Sequence, residues 1–454
     1  MTTAADRGAM SAGEDAVARR RRSTELGLLV VAMVVIGAAY TLASLGRSAS
    51  LPADIVPFLA VLFALFVAAH VAIRRLAPRA DAMLVPLAAL LNGLGYVFIA
   101  RLDDDLAGQQ AAWTAVAMVA FVLTLAFVRR VRTLARMRYT ILLAGVILIV
   151  LPLLPAVGVS INGARIWTRI GPLSFQPGEF AKIALAIFFA AYLVERRELL
   201  SMATFRLGPL VMPEPKHLAP LLVAWGVSLV VMIFEKDLGS ALLFFVLFIT
   251  MLWVATGRLS YLIVGVLLFA AGAFLAYSAF EHVQLRVDMW LDPWQDPLDG
   301  GFQIVQATYA MAWGGLGGTG LGLGIDGRIP YQETDFIFAI IGEELGLAGA
   351  TAIVVSYLLI VGRGFRVATT AADPFAKLLA TGLTSLVAIQ SFIIMAGVIR
   401  LLPLTGVTLP FVSYGGSSLV SNWIIIALLV RLSDEAELPA LDAADDRTTV
   451  LARG

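Results

Sequence analysis

Long apolar runs separated by short polar breaks dominate this chain. A helix needs about 20 apolar residues to cross a bilayer core of roughly 30 Å, and twelve runs approach that length. The runs at 178–194 and 217–234 are the shortest, and only a tight break at 234–238 separates the second of them from the next run. The twelve runs are 24–46, 54–74, 81–100, 110–128, 138–157, 178–194, 217–234, 238–256, 259–280, 335–361, 377–398 and 408–431.

The composition agrees with a membrane protein. Of 454 residues, 60% are hydrophobic and only 14% are charged, with a mean hydropathy of +0.89. A soluble domain has about half apolar and about a quarter charged residues, so the excess apolar surface must face lipid. The sequence therefore predicts an all-α fold, a polytopic bundle of about twelve transmembrane helices.

Positive charges indicate the orientation of the bundle. Cytoplasmic loops of membrane proteins are enriched in Lys and Arg, and with a cytoplasmic amino terminus about three quarters of the 33 such residues fall in inner loops and tails. This bias predicts that both termini are cytoplasmic. The segments 1–23 and 433–454 are small and polar or acidic, and they are expected to lack fixed structure.

Charge and residue usage exclude several classes of function. A net charge of +1 offers no basic surplus for a nucleic-acid partner. The absence of cysteine removes disulfides, thiolate nucleophiles and cysteine-ligated metals. His70, His217 and His282 match no metal-ligand spacing, so each is expected to be structural or interfacial.

Cationic and aromatic residues cluster ahead of the sixth run. Arg165 and Arg169 can offer planar donor forks to phosphate oxygens, and Trp167 can lie against a lipid or a sugar. Glu179 and Lys182 are spaced i, i+3 on one face of the following helix, at a depth where charge must be paired or line a polar cavity. The alternative is an interfacial anchor together with a structural ion pair.

Two further polar segments have both structural and chemical interpretations. Asp237 is either functional or the N-cap of the next helix, where Gly239 would permit a close crossing. In the long segment 281–334, Asp296 lies among aspartates, prolines and tryptophans. Carboxylates beside aromatic rings suit sugar chemistry, with one as the general base, but the same pattern fits an Asp-Pro turn or a calcium site.

Glycines, acids and prolines mark three more segments in the last third of the chain. The glycine-rich stretch 314–324 lacks the features of a phosphate loop and is interpreted as a hinge or a site of close backbone packing. Glu343 and Glu344 imply a polar interior in the tenth run. The Pro- and Gly-rich stretch 402–418 predicts a broken helix start that lines a cavity or meets a ligand.

These segments together resemble the SEDS family, which includes RodA, FtsW and SpoVE. The resemblance covers about 81–432, where the motifs follow one another in the same order as in the family. The sequence as a whole is similar to RodA-like members from high-GC Gram-positive bacteria. The family has ten spans, so 24–80 would add two helices to a SEDS core whose large external loop is 281–334. Gly178 replaces the usual Ser, and Lys236 replaces a common Pro. The matching motifs are Asn162-Gly-Ala-Arg165, Gln176-Pro-Gly-Glu-Phe-Ala-Lys182, Lys236-Asp-Leu-Gly-Ser240, Asp292-Pro-Trp-Gln-Asp296-Pro with Gly-Phe-Gln303, Thr334-Asp-Phe-Ile-Phe338 with Glu343-Glu-Leu-Gly346, and Leu402-Pro-Leu-Thr-Gly-Val-Thr-Leu-Pro-Phe-Val-Ser-Tyr-Gly-Gly-Ser-Ser418.

The resemblance implies a peptidoglycan glycosyltransferase that polymerises lipid II at the outer face of the bacterial plasma membrane and releases undecaprenyl pyrophosphate. Its expected partner is a class B penicillin-binding protein, and a divalent cation, Mg²⁺ or Mn²⁺, is the one candidate cofactor. Asp296 matches the catalytic base of the family, and Arg165, Glu179, Lys182 and Asp237 match positions of functional importance. The remaining candidates for substrate binding are Trp167, Arg169, Gln303, Arg400, Ser413 and Ser417.

Three rival functions remain open at this point. A lipid II flippase, or another twelve-span transporter, would also carry charge inside the membrane. A division-specific polymerase of the FtsW type would share the chemistry and differ in cellular role. A scaffold that only positions the penicillin-binding protein would tolerate charge-neutral changes at Asp296.

Overall fold

The computed structural model describes residues 4–49, 55–155, 157–161, 164–171, 173–201, 205–207, 210–212, 226, 234–235, 237–325 and 327–437. These residues are mostly helical. The helices are α1 (Ala4–Ser48), α2 (Ile55–Leu76), α3 (Leu84–Leu102), α4 (Asp104–Phe127), α5 (Arg132–Arg136), α6 (Arg138–Val150), α7 (Gly178–Glu195), α8 (Arg197–Ser201), α9 (Leu238–Thr256), α10 (Leu259–Ala279), α11 (Glu281–Leu291), α12 (Phe302–Gly314), α13 (Ile337–Thr370), α14 (Pro374–Val398) and α15 (Gly416–Ala436).

The predicted helical membrane fold is confirmed. Within the described ranges, nine helices are long and apolar enough to span a bilayer: α1 from Arg22 onward, α2, α3, α4, α9, α10, α13, α14 and α15. Helix α7 has sufficient length but carries three charged residues, and α6 is extended by a short 3-10 turn at Leu151–Leu153. The run at 217–234 lies mostly outside the described residues, so the number twelve stays a prediction.

Several boundaries differ from the predicted runs. The last helix begins at Gly416 rather than at 408, because prolines at 403 and 410 interrupt helical hydrogen bonding. Helix α1 begins at Ala4, so helical backbone extends into the segment 1–23, which was expected to lack fixed structure. Most of 433–454 lies outside the described residues.

Short strands, which hydrophobic periodicity did not predict, make the fold less than wholly helical. An antiparallel sheet ordered β1–β2–β3 joins β1 (Gly158–Ile161), β2 (Ala164–Ile170) and β3 (Leu173–Phe175). Thr168 of β2 pairs with Gly158 on one side and Phe175 on the other. A second, two-stranded hairpin is formed by β4 (Phe205–Leu207) and β5 (Leu210–Met212).

Helices α15, α14 and α3 form the centre of the bundle, whereas α10 and α2 lie at its surface. Of an 18-residue apolar stretch in each helix, 94% is buried inside the protein in α15 and only 11% in α10. Trp423 of α15 is fully buried, contacts the rings of Phe121 and Phe411, and donates to the Asn92 side-chain oxygen at 2.9 Å. A hydrogen bond between buried side chains therefore connects α15, the most buried helix, to α3.

One end of the bundle, here called the loop end, carries the residues between α11 and α13. The glycine-rich stretch 314–324 packs against helix backbones there: a Cβ on Gly322 would lie 2.2 Å from the Ala43 carbonyl oxygen, and one on Gly314 would lie 1.9 Å from that of Gly342. Arg101 of α3 and Glu344 of α13 form a buried ion pair at 2.6 Å. The interpretation of this stretch as a site of close packing is confirmed, and the carboxylate of Glu344 is paired.

Hydrogen bonds and an ion pair join the helices at the opposite end of the bundle. Arg431 of α15 donates to the Leu76 carbonyl at 2.6 Å and to the Leu125 carbonyl at 2.7 Å. Asp81, just before α3, pairs with Arg363 of α13. These contacts fix α2, α3, α4, α13 and α15 relative to one another.

The Arg101–Glu344 pair gives a test of how the loop end is held. Glu344→Gln leaves a buried guanidinium without its counter-charge and is expected to destabilise the fold by about 3–5 kcal/mol. The double variant Arg101→Leu, Glu344→Leu should recover most of that loss. Thermal unfolding of the purified protein in detergent measures both effects.

The Arg47–Asp104 ion pair supplies the matched control. It spans 2.9 Å with side chains that are 38% and 82% exposed, so Asp104→Asn should cost less than about 1 kcal/mol. Equal destabilisation by Glu344→Gln and Asp104→Asn would contradict the assignment of the buried pair.

Candidate functional site

Four side chains form a polar cluster inside the bundle, here called the ion-pair cluster: Glu179, Lys182, Gln390 and Ser421. The Lys182 Nζ donates to Glu179 Oε2 at 2.6 Å and to Gln390 Oε1 at 2.8 Å. Ser421 Oγ donates to the same Glu179 oxygen at 2.8 Å. All four residues are buried. The predicted i, i+3 pair therefore exists, and α14 and α15 complete its polar surroundings.

The non-helical residues 401–415 between α14 and α15, here called the crossover segment, connect to this cluster. Gln390 Nε2 donates to the Thr408 carbonyl at 2.9 Å. Arg286 of α11 donates to the Thr405 carbonyl at 3.1 Å and to the Leu404 carbonyl at 3.4 Å. Side chains from two other helices thus satisfy backbone groups that a regular helix would have satisfied internally.

Ser413 and Ser417 hold the end of the crossover segment and the start of α15. Ser413 Oγ donates to the Thr334 carbonyl at 2.6 Å and accepts from the Leu409 N–H at 2.9 Å. Ser417 Oγ accepts from the Gln176 N–H at 2.9 Å, which ties the exit of β3 to α15. Both candidates therefore have positioning contacts in this structure.

Asp237 caps helix α9 and lies close to the crossover segment. Its carboxylate accepts from the Ser240 N–H at 3.0 Å and from the Ser240 hydroxyl at 2.5 Å, which confirms the helix-cap interpretation. A Cβ on Gly239 would lie 2.8 Å from the Thr405 carbonyl oxygen. Burial raises the pKa of Asp237, and the Ser240 hydrogen bonds and the positive charge of Arg286 oppose that rise.

Asp296 lies in a compact loop that follows α11. Its Oδ2 accepts from the Gly300 N–H at 2.9 Å, and its carbonyl accepts from the Gly301 N–H at 2.8 Å. These contacts form the turn that the Asp-Pro pattern predicts. The side chain is half-buried, and among the described residues its other carboxylate oxygen has no hydrogen-bond partner.

Arg400 and Gln303 hold this loop in place. The Arg400 Nη2 donates to the Trp290 carbonyl at 3.1 Å, and the Trp290 indole N–H donates to the Arg400 carbonyl at 3.0 Å. The Arg400 guanidinium also lies 4.8 Å from the centre of the Trp294 ring. Gln303 Nε2 donates to the Pro330 carbonyl at 3.3 Å. Both side chains are thus engaged with the protein itself.

Arg165, Trp167 and Arg169 alternate along β2 and so share one face of that strand. Thr168, on the other face, is fully buried, whereas Arg169 is exposed. Arg165 Nε donates to the Pro152 carbonyl at 3.0 Å. Two cations and an aromatic ring therefore lie together on one surface, which was not predicted from the sequence.

The structure links Lys182 to the crossover segment through Gln390. Among the residues that it describes, it brings no two of Asp296, Arg165 and Lys182 into direct contact. Convergence of the three on one substrate therefore remains a prediction. Among the described residues, no group of three or more His, Asp or Glu side chains could hold a metal ion, so these residues do not fit a protein-built Mg²⁺ or Mn²⁺ site.

Sequence reasoning missed three residues that complete this region: Arg286, Gln390 and Ser421. Gln390 and Ser421 are polar residues within apolar runs, which is a detectable signal. The sequence could not show that both side chains meet the Glu179–Lys182 pair, because they lie on different helices. Arg286 is one of several charges in the loop region, and nothing in its spacing indicates its contacts with Leu404 and Thr405.

Comparison with known proteins identifies the family. The sequence model of the FtsW/RodA/SpoVE cell cycle proteins matches residues 82–438. The chain belongs to this family. Peptidoglycan glycosyltransferase RodA from Mycobacterium tuberculosis is 46% identical over 445 residues, which cover 96% of this chain and 95% of that protein. Helices α1 and α2 precede the residues that the family model matches.

Two solved structures share the fold of this chain. One belongs to a peptidoglycan synthase complex that coordinates polymerization and crosslinking; it matches with a TM-score of 0.66 and 26% identity over 79% of this chain and 98% of that chain. Another is the rod shape determining protein RodA from Thermus thermophilus, with a TM-score of 0.57 and 25% identity over 78% and 96% of the two chains.

The ion-pair cluster predicts a specific pattern of stability. Lys182→Met leaves the buried Glu179 carboxylate without its counter-charge and should destabilise the protein by about 3–5 kcal/mol. The double variant Glu179→Gln, Lys182→Met should recover most of that loss, because no charge is left buried. Thermal unfolding in detergent measures both variants. A double variant as unstable as Lys182→Met would contradict the pairing.

Asp335 predicts a pH dependence of stability. Burial raises the pKa of Asp335 from 3.8 to about 6; Arg286 lowers the value and Glu333 raises it. The folded protein therefore holds this proton more tightly than the unfolded chain. The contribution of this group to stability is greatest below pH 4 and is lost as the pH rises through about 6, a loss of about 3 kcal/mol.

Asp335→Asn should remove this contribution to the pH dependence. The measurement is the thermal unfolding temperature between pH 4 and pH 7 in one detergent. Asp299→Asn, at an exposed position, is the control and should retain the slope of the unaltered protein. An Asp335→Asn variant with an unchanged slope would show that another group titrates.

Proposed function

We propose that this chain polymerises lipid II into glycan strands at the outer face of the plasma membrane, in the manner of RodA in cell elongation. The chain is a multi-pass membrane protein and a peptidoglycan glycosyltransferase. The observation that carries the proposal is 46% identity to RodA from Mycobacterium tuberculosis over 96% of the chain. The loop of Asp296, strand β2 and the ion-pair cluster supply the candidate groups for substrate binding and catalysis.

The proposed reaction joins two lipid II units through one new glycosidic bond. The 4-hydroxyl oxygen of a GlcNAc residue attacks the anomeric carbon of MurNAc, and the bond from that carbon to the phosphate oxygen breaks. Undecaprenyl pyrophosphate leaves with the bonding electron pair. Since an α-phosphate becomes a β-linkage, the carbon inverts, and one carboxylate base that accepts the hydroxyl proton is sufficient.

Asp296 is the proposed base. One of its carboxylate oxygens is fixed by the Gly300 N–H, which orients the group. The other oxygen is available to accept a proton. The Trp294 ring, 45% exposed and stacked on the Arg400 guanidinium, offers an adjacent flat surface for a sugar.

The face of β2 that carries Arg165, Trp167 and Arg169 is proposed to contact the pyrophosphate, together with Lys182 of the ion-pair cluster. Arg165 uses only its Nε in the contact with Pro152, so both terminal nitrogens can donate to phosphate oxygens. Arg169 and Trp167 lie on the same strand face. Lys182 has a third donor beyond those given to Glu179 and Gln390. Cations in these places would offset the charge of the leaving group.

Other candidate residues are proposed to position this machinery rather than to contact substrate. Arg400 and Gln303 hold the loop of Asp296 through backbone carbonyls. Ser413, Ser417 and Asp237 fix the crossover segment and the helices beside it. Substitution of any of them should therefore change the placement of Asp296 or Lys182 rather than remove a reacting group.

A class B penicillin-binding protein is the proposed partner. The similarity to a chain from a peptidoglycan synthase complex that coordinates polymerization and crosslinking supports a partner that performs the crosslinking. The glycan strand made by this chain would be the substrate of that transpeptidase. Co-purification of the two membrane proteins would test the pairing.

Asp296→Asn should lower the rate at which the purified protein, together with its partner, polymerises labelled lipid II by about 100-fold or more. The unfolding temperature should not fall. Loss of the base accounts for this result, because the amide cannot accept the proton. Asp299→Asn, an exposed carboxylate of the same loop, is the matched control and should remain active. Products are resolved by length.

Different outcomes identify the rival functions. A folded Asp296→Asn variant with full activity would remove Asp296 from the role of base. Translocation of lipid II in proteoliposomes without any glycan product would indicate a flippase. An unaltered protein that makes no glycan but is needed by an active partner would indicate a scaffold.

A further inference from the structure

Arg286 of α11 uses only part of its guanidinium group in contacts with the protein. Its Nη1 donates to the carbonyls of Leu404 and Thr405, whereas Nε and Nη2 have no hydrogen-bond partner among the described residues. Gly406, which is exposed and has a φ of +73°, lies beside Nη2, where a Cβ would be 3.9 Å away. No side chain covers this nitrogen from that direction. The Nε–Nη2 edge can therefore donate two parallel hydrogen bonds to a ligand.

Asp335, just before α13, faces the same guanidinium group without pairing with it. Burial raises the pKa of Asp335 and of Asp237, and the positive charge of Arg286 opposes both rises. Neither carboxylate forms an ion pair with Arg286 within the described ranges. The half-buried Asp335 carboxylate also has no hydrogen-bond partner there. Free donors on Arg286 and a free acceptor on Asp335 thus lie near each other, and neither group satisfies the other.

The crossover segment fixes the position of both groups. Its carbonyls accept from Arg286, as described above. Its Ser413 hydroxyl donates to the Thr334 carbonyl at 2.6 Å, and its Tyr414 N–H donates to the Glu333 carbonyl at 2.8 Å. The backbone that leads into Asp335 is therefore held against the same segment as Arg286, and the two side chains are positioned before any ligand binds.

The proposed base lies against the same turn of α11. A Cβ on Gly300 would lie 3.3 Å from Asp296 Oδ2 and 3.6 Å from Leu285 Cδ1. The Asp296 carboxylate is therefore close to the residue that precedes Arg286 in the helix. The sugar that presents its hydroxyl to Asp296 is the part of the substrate nearest to Arg286.

Local charge indicates which part of the substrate fits here. Asp237, Asp335 and Glu333 provide three carboxylates near the single positive charge of Arg286. Like charges close to one another are unfavourable, so these groups disfavour a pyrophosphate. A sugar hydroxyl is uncharged, and it can accept a hydrogen bond from a guanidinium and donate one to a carboxylate. The arrangement therefore suits a sugar.

We propose that Arg286 and Asp335 form a subsite for the GlcNAc residue whose 4-hydroxyl attacks. The Nε–Nη2 edge of Arg286 donates to oxygen atoms of this sugar, and the Asp335 carboxylate accepts from one of its hydroxyls. The subsite rests on the proposed polymerisation and adds recognition of the sugar to it. The pyrophosphate contacts the cations of β2 and Lys182, so the two ends of the substrate meet groups of different charge.

Binding of two lipid-linked probes to the Asp296→Asn variant, which should turn over substrate very slowly, tests the subsite. One probe is lipid II, and the other keeps the undecaprenyl pyrophosphate and MurNAc but lacks GlcNAc. Asp296→Asn should bind lipid II about tenfold more tightly, because hydrogen bonds from charged groups to the sugar are lost with the second probe. Adding Arg286→Lys or Asp335→Asn should reduce this preference to about threefold or less. Microscale thermophoresis in detergent measures the affinities.

Two further variants serve as controls in the same background. Asp288→Asn, at an exposed position of α11, should keep the full preference. Arg165→Gln should weaken the binding of both probes to the same extent, because both carry the pyrophosphate. The unfolding temperature shows whether each variant is folded, and Asp335→Asn removes none of the backbone contacts made by Arg286.

Equal binding of the two probes by Asp296→Asn would overturn the subsite. Folded Arg286→Lys and Asp335→Asn variants that retain the tenfold preference, or that weaken both probes equally, would also overturn it. The polymerisation assay on the unaltered protein tests the proposed function separately. Glycan synthesis without any preference between the probes would therefore overturn the subsite alone.

Discussion

Every peptide N–H and C=O inside a bilayer must find its hydrogen-bond partner within the protein. The crossover segment 401–415 departs from helical geometry beside the most buried helix, so its carbonyls need donors from elsewhere. Arg286 of α11 supplies those for Leu404 and Thr405, and Gln390 of α14 supplies one for Thr408. Satisfying the backbone of this one segment brings distant parts of the chain together.

The same constraint links structure to the proposed chemistry. Gln390 bonds both the crossover segment and Lys182, so the lysine that is proposed to meet the pyrophosphate is positioned by the broken helix. Arg286 extends from α11, and Asp296 follows a few residues after that helix. A substrate that contacts both Lys182 and Asp296 would therefore bind between two parts of the protein, and both parts are connected to the crossover segment, one through Gln390 and the other through Arg286 of α11.

Periodicity and residue type predicted much of this framework. Runs of apolar residues located most of the spanning helices, because burial in lipid requires that length and composition, although α4 begins at Asp104 rather than at 110 and α13 ends at Thr370 rather than at 361. The helix-cap role of Asp237 and the pairing of Glu179 with Lys182 followed from local spacing. The start of the last helix was misplaced, since an apolar run containing prolines does not reveal where helical hydrogen bonding resumes. The sheet of β1, β2 and β3 was missed because its short strands carry no clear alternation.

The sequence by itself determined which segments enter the membrane, which residues carry charge there, and, through its motifs, the family. Those properties depend on neighbours within a few residues, which composition and spacing record. Tertiary structure alone decided that Gln390 and Ser421 complete the Glu179–Lys182 pair, that Arg400 holds the loop of Asp296, and that Arg286 faces Asp335. Each of these depends on how separate helices pack, and the order of residues along one chain does not specify those long-range contacts.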